Sequence, residues 1–186
     1  MTPHLWRKHQ LPTFTGSPPM AMDYRHVVNL FESLIDTSPR VACEIGSHMG
    51  HSTVAFIEAM YLLPEMELHV FELHPTPELR RILSTFPDRI ALHTTPIWGS
   101  SIRPDFAFID GDHGVPALAD LAYCLARGVP TIAMHDTQSF SCGLTAEGSE
   151  QAARLLREMP DRMWSEDKSL REGEWTHRGF GVSRIL

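Results

Sequence analysis

Short apolar segments alternate with helix-length ones along most of this chain, and that alternation limits the folds open to it. Val41–Ile45, Leu68–Glu72, Arg89–Thr94, Asp105–Asp110 and Pro130–Met134 read as strands. They are nearly continuous apolar runs rather than alternating ones, the pattern of strands buried on both faces of a parallel sheet. Residues 22–37 have helical spacing through Tyr24, Val27, Val28, Phe31, Leu34 and Ile35, stopped by Pro39. Residues 52–63 form a helix ended by Pro64. Thr76 and Pro77 open another as N-cap and N1, with Leu79, Ile82, Leu83 and Phe86 as its buried stripe. Residues 116–127 carry Leu118, Leu121, Ala122 and Leu125 inward, with Gly128 suited to C′. After a last helix at 149–159, weaker strands at 163–165 and 175–183 pair as an antiparallel hairpin at the edge. The expectation is an α/β protein with a doubly wound, mostly parallel seven-stranded sheet. Residues 1–21, with four prolines and no periodicity, read as an irregular N-terminal arm, and 22–186 as one domain.

In open sheets of this kind ligands bind beyond the carboxyl ends of the strands, so the residues at those tips are the candidates. Strand one ends in "EIGSHMGHST". Gly46 and Gly50 flank a tight turn that opens a helix, where backbone N–H groups can approach a ligand. The spacing is neither the dinucleotide pattern nor a phosphate loop, since no lysine follows. Strand two ends in Glu72, an acid placed to bind the hydroxyls of a ribose. Glycine turn and acid together favour a ribose-bearing cofactor.

The fourth strand ends in "FIDGDHG" and the fifth in "MHDT". If these strands are neighbours, Asp110 and Asp136, with His135, form a divalent cation site. Carboxylates suit Mg²⁺, and an imidazole ligand would shift the preference toward Mn²⁺. Asp112 reads mainly as a cap for the helix that follows. His113, three residues past Asp110, is a candidate general base for a hydroxyl made more acidic by the metal.

"EIGSHMGHSTVAF", "VFELHP", "FIDGDHG" and "IAMHD", in this order and spacing, resemble the class I S-adenosylmethionine-dependent methyltransferases. More closely they are similar to the small metal-dependent O-methyltransferases: the catechol and caffeoyl-CoA type and the macrolide-sugar and cephalosporin-tailoring relatives. The resemblance spans residues 41–136 and implies a Rossmann-like fold with S-adenosyl-L-methionine as cofactor. It puts Glu44, Gly46, Ser47, His48 and Ser52 around the methionine part of the cofactor and makes Glu72 the ribose acid. Residues 95–98, with Ile97 and Trp98, fall where adenine is held. Asp110, His135 and Asp136 match the metal ligands, and His113 matches the catalytic base. Two departures stand out: His135 replaces what is an acid in many relatives, and "TPIWGS" replaces the usual adenine segment.

Methyl transfer to a hydroxyl of a small molecule is therefore the expected activity. The alternatives are a cofactor-binding partner protein without catalysis and a metal-dependent hydrolase using Asp110, Asp112, His113 and Asp136. A net charge of −7, with no run of Lys or Arg, argues against nucleic acid as a partner. No apolar stretch approaches the ~20 residues of a membrane span, and the N-terminus has no signal-peptide core, so the expected compartment is the cytoplasm. Cys43, Cys124 and Cys142 lack metal-type spacing and read as reduced thiols. The arm leaves room for a homodimer contact.

Overall fold

The computed structural model describes residues 22, 24–112, 114–138, 147–168 and 179–186. The arm, His113, Cys142, most of the 138–148 segment and the start of the expected 175–183 strand lie outside them. Among the described residues the elements run α1 (Tyr24–Thr37), β1 (Val41–Ile45), α2 (Thr53–Leu62), β2 (Glu67–Phe71), α3 (Pro77–Leu83), β3 (Ile90–His93), a single 3₁₀ turn (Ile97–Gly99), β4 (Phe106–Ile109), α4 (Val115–Ala126), β5 (Thr131–His135), α5 (Glu147–Glu158), β6 (Arg162–Asp167) and β7 (Phe180–Ile185). They form one seven-stranded sheet in the order β3-β2-β1-β4-β5-β7-β6. The first five strands in that order are parallel, and β7 lies antiparallel to both β5 and β6.

The apolar runs are buried on both faces, as their composition requires. Leu68, Val70, Phe106 and Phe108 pack with α1, α2 and α3 on one side. Cys43, Ile45, Ile109, Ile132 and Met134 pack with α4 and α5 on the other. The Thr76 hydroxyl accepts from Leu79 N, and Pro77 holds the first helical position, as the sequence implies. The inward face of α4 is rotated from the one the leucines suggest. Ala117, Asp120, Leu121, Tyr123 and Cys124 are buried, Leu118 and Leu125 sit at its margin, and Ala122 is exposed. Asp112 also departs from expectation. Its Oδ1 accepts from Gly114 N at 2.8 Å, closing a turn one step before the helix, while α4 starts without a side-chain cap. No helix among the described residues is long and apolar enough to cross a membrane.

After β1 the chain winds outward through β2 and β3, then returns to the far side of β1 as β4. The switch point therefore lies between the tips of β1 and β4. There Gly46 has φ +82°, and a Cβ added to it would lie 2.3 Å from Gly111 Cα and 2.5 Å from Asp110 O. Backbone packs directly on backbone at this crossing. A Gly46→Ala protein faces both the left-handed penalty and an overlap that no side-chain shift relieves. It should lose at least about 2 kcal/mol of stability. Urea titration should show this as a lower midpoint at unchanged slope, and an unchanged midpoint would refute the contact.

Candidate active site

The glycine turn is tied to both of its neighbours. Ser47 N and His48 N donate to Glu72 Oε2 at 3.0 and 2.8 Å, and His74 N donates to Oε1 at 2.9 Å. Burial works to raise the Glu72 carboxyl, but these three backbone donors outweigh it and hold the group below the usual carboxylate range. A carboxylate offers roughly four acceptor positions, which leaves about one here for a ribose hydroxyl. The turn takes left-handed backbone at Gly46, His48 and Gly50. At His48 this conformation is uncommon for a side-chain-bearing residue.

Glu44 lies beneath the turn, fully buried. Its carboxyl accepts from Ser52 Oγ at 2.6 Å and Thr53 Oγ1 at 2.8 Å, which joins the end of β1 to the start of α2. Burial pushes the Glu44 carboxyl up to about 8; the two hydroxyls oppose the rise, and the charges of Asp110 and Glu72 add to it.

Strands β4 and β5 are neighbours, with Ile109 paired to Met134, so Asp110 and His135 leave the sheet side by side. His135 Nδ1 lies 3.2 Å from Asp110 Oδ1 and 3.4 Å from Asp136 Oδ1. One donor atom from each of the three residues falls within 4.8 Å of the others. The Asp136 side chain is fully buried, whereas that of Asp110 is 17% exposed. Asp136 has φ +53°, strain of the sort that collects at functional sites. On its far side the Thr137 hydroxyl and the Gln138 amide both donate to Glu166, which anchors the chain just past the strained residue. Burial alone would lower the His135 imidazole. The carboxylates of Asp136 and Asp110 more than reverse that and raise it to about 9. Behind His135, its Nε2 lies 3.1 Å from Nδ1 of His26, on α1.

These tips surround a cavity of about 410 Å³, within the range that encloses a small ligand. Of the residues expected at the site, Gly46, Ser47, His48, Ser52, Glu72, Ile97, Trp98, Asp110 and Asp136 line it. Glu44, Gly50 and His135 do not: they stand behind the wall and act on what does. A Cβ on Gly50 would meet the side chains of Ile82 and Leu79 on α3, so that glycine lets α3 approach the turn. His113 lies outside the described residues.

Two residues at the site escape sequence reasoning. His26 sits at helical spacing among the buried Val27, Leu30 and Leu34, so its inward position was available from periodicity. The partner it meets 109 residues later was not. Asp120 lies on the inward face of α4 between Ala117 and Cys124 and opens onto the cavity.

In sequence, no protein-family model and no curated protein matches the chain. In structure the likeness is extensive. An O-methyltransferase from Bacillus cereus in complex with SAH superposes with a TM-score of 0.72 at 15% identity, over 98% of this chain and 89% of that one. TomG of Streptomyces achromogenes, an O-methyltransferase involved in tomaymycin synthesis and solved with SAM, gives 0.70 at 14% identity, over 98% and 86%. The 1,6-didemethyltoxoflavin-N1-methyltransferase of Burkholderia thailandensis gives 0.64 at 16% identity, over 88% and 77%. A sheet in this order, with its cavity at the crossing of β1 and β4, is the fold of the class I S-adenosylmethionine-dependent methyltransferases.

Proposed function

We propose that the protein transfers a methyl group from S-adenosylmethionine to a hydroxyl oxygen of a small molecule, assisted by a divalent cation. One observation carries this reading. The glycine turn with Glu72 and the cluster of Asp110, His135 and Asp136 adjoin a single cavity, on neighbouring strand tips. The cluster also fits a cation chemically. Two carboxylates converging on one imidazole require positive charge between them, and a divalent ion supplies it with oxygen ligands it favours.

In that arrangement Ser47, His48 and Glu72 bind and orient the cofactor, with Glu72 accepting from a ribose hydroxyl. Bound S-adenosylmethionine supplies an activated methyl group, so the chain's main task is alignment. Asp110, Asp136 and His135 would hold Mg²⁺ or Mn²⁺, which supplies a fixed charge that lowers the pKa of the acceptor hydroxyl. His113 is the proposed base that takes the hydroxyl proton, on its sequence position alone. The new C–O bond forms as the C–S bond breaks, and the thioether leaves with the sulfur electron pair. The segments that choose the acceptor are proposed to be the 138–148 loop, the 1–21 arm and the edge hairpin.

A second reading has a specific observation behind it. His135, when protonated, offsets one of the two carboxylate charges and sits within reach of both, so the cluster can close on itself without a cation. The chain would then bind cofactor without metal-assisted catalysis. A metal-dependent hydrolase has less support, since it leaves the glycine turn and Glu72 without a role. Calorimetry with S-adenosylhomocysteine, with and without Mg²⁺ or Mn²⁺, separates these readings when paired with a labelled-cofactor screen of hydroxylated acceptors. The proposal expects cofactor binding in both conditions and methyl transfer only with metal. Absence of cofactor binding in both conditions would overturn it. Transfer that ignores chelation would leave the methyltransferase reading and remove the cation.

A further inference from the structure

Asp120 is a carboxylate in a surprising place. It stands on the inward face of α4, 5% exposed, and contributes to the cavity wall along with Ile97, Trp98 and Pro116. The Trp98 indole N–H donates to it, and one of its oxygens passes close to Gly111 at the crossing of β1 and β4. Burial pushes the group up to about 6, against the Trp98 bond and with the charge of Asp112. At neutral pH it is therefore mostly an anion, able only to accept. Holding a carboxylate beside apolar side chains is costly unless donors satisfy it, and one indole N–H satisfies only part of its capacity.

The layout of the cavity says which donor could complete the set. If Glu72 holds the ribose and the methyl group must face Asp110 and Asp136, the nucleobase extends the other way, toward Phe71, Ile97 and Trp98. Those three residues line the cavity, and Asp120 lines it too, bonded to Trp98. Adenine carries an exocyclic amine, a donor. Hypoxanthine carries a carbonyl at the same position, which would confront the carboxylate with another acceptor.

We propose that Asp120 reads the base of the cofactor, its carboxylate accepting from the exocyclic amine of adenine while Trp98 holds it in place. The assignment rests on the cofactor reading above. The test compares S-adenosylhomocysteine with S-inosylhomocysteine, its 6-oxo analogue, by calorimetry at pH 7.5. The parent should prefer the adenine compound by about 10–100-fold, the worth of a charge-assisted hydrogen bond against an unpaired acceptor. Asp120→Asn, whose amide can donate to the 6-oxo group, should bring the ratio to within about threefold or invert it.

A parent that binds both compounds within about threefold overturns the assignment, and needs no variant to do so. So does an Asp120→Asn protein that keeps the parent's ratio. A parent that binds neither compound overturns the cofactor reading itself, so the two failures are distinct.

Discussion

An Asp110→Ala protein should transfer methyl groups about 10³-fold more slowly than its parent, a loss of roughly 4 kcal/mol in transition-state stabilisation. It should also lose measurable Mn²⁺ binding while holding S-adenosylhomocysteine to within about tenfold, because Glu72 and the glycine turn are untouched. The asymmetry follows from the layout. Asp110 is the partly exposed member of the cluster and faces both the cavity and His135. Removing it takes away one anionic ligand and leaves His135 and Asp136 too few to hold a hard cation against water. Metal affinity read by electron paramagnetic resonance, next to turnover with an acceptor found in the screen, checks both halves. Full turnover in Asp110→Ala would sink the metal-assisted mechanism. If turnover survives in His113→Ala with metal bound, the base must lie elsewhere.

The second large effect is one of stability against pH, and it comes from Glu44. Its carboxyl is raised from 4.5 to about 8 in the folded chain. Between those values the folded state keeps a proton that the unfolded state has lost, so stability falls as pH rises through the window. Below about 4.5 both states are protonated and the contribution is fully present. At about 1.4 kcal/mol per unit, the fall over those roughly 3.5 units is on the order of 5 kcal/mol. Glu44→Gln removes the titration and can still use Ser52 and Thr53 as partners. Unfolding free energies from urea titrations of metal-free protein at pH 5.5, 6.5, 7.5 and 8.5 should show the parent declining more steeply than the variant, which keeps only the decline from other raised groups such as His135. The variant should be the more stable of the two at the alkaline end. Parallel curves would mean that Glu44 is ionised throughout and that its two hydroxyl donors suffice.

The strands and their tips were readable because they depend on local composition. Four apolar residues ending in Asp110 can hardly be anything but a buried strand with a polar end. Gly46 announces a turn whichever partner it packs against. The order of the last strands is another matter. The weak apolar content of 162–167 and 180–185 indicates a hairpin but not that β7 inserts beside β5 and leaves β6 at the edge. That depends on which strand presents the more buried pair of faces, and Phe180 to Ser183 do so. Glu72 was placed at the right tip, yet three of its bonds go to backbone, and side-chain identity carries no trace of a backbone donor. Asp120 was missed for a related reason. Helical periodicity identifies the inward face of α4 by its apolar residues, and an acid on that face registers as an interruption until the cavity beside it is known. Gly50 and His135 stand outside the cavity lining, Gly50 against α3 and His135 between Asp110 and Asp136, and that layering is visible only in three dimensions.

The crossing of β1 and β4, where Gly46 rests on Gly111, also fixes a length. Strands in a sheet stand about 4.8 Å apart, and β1, β4 and β5 are consecutive. On the proposed reading, the methyl donor is held at the tip of the first and the acceptor at the tips of the other two. The span between them thus follows the spacing of paired strands. Acceptor-facing segments can then be exchanged for others of different shape without resetting the distance over which the methyl group must travel.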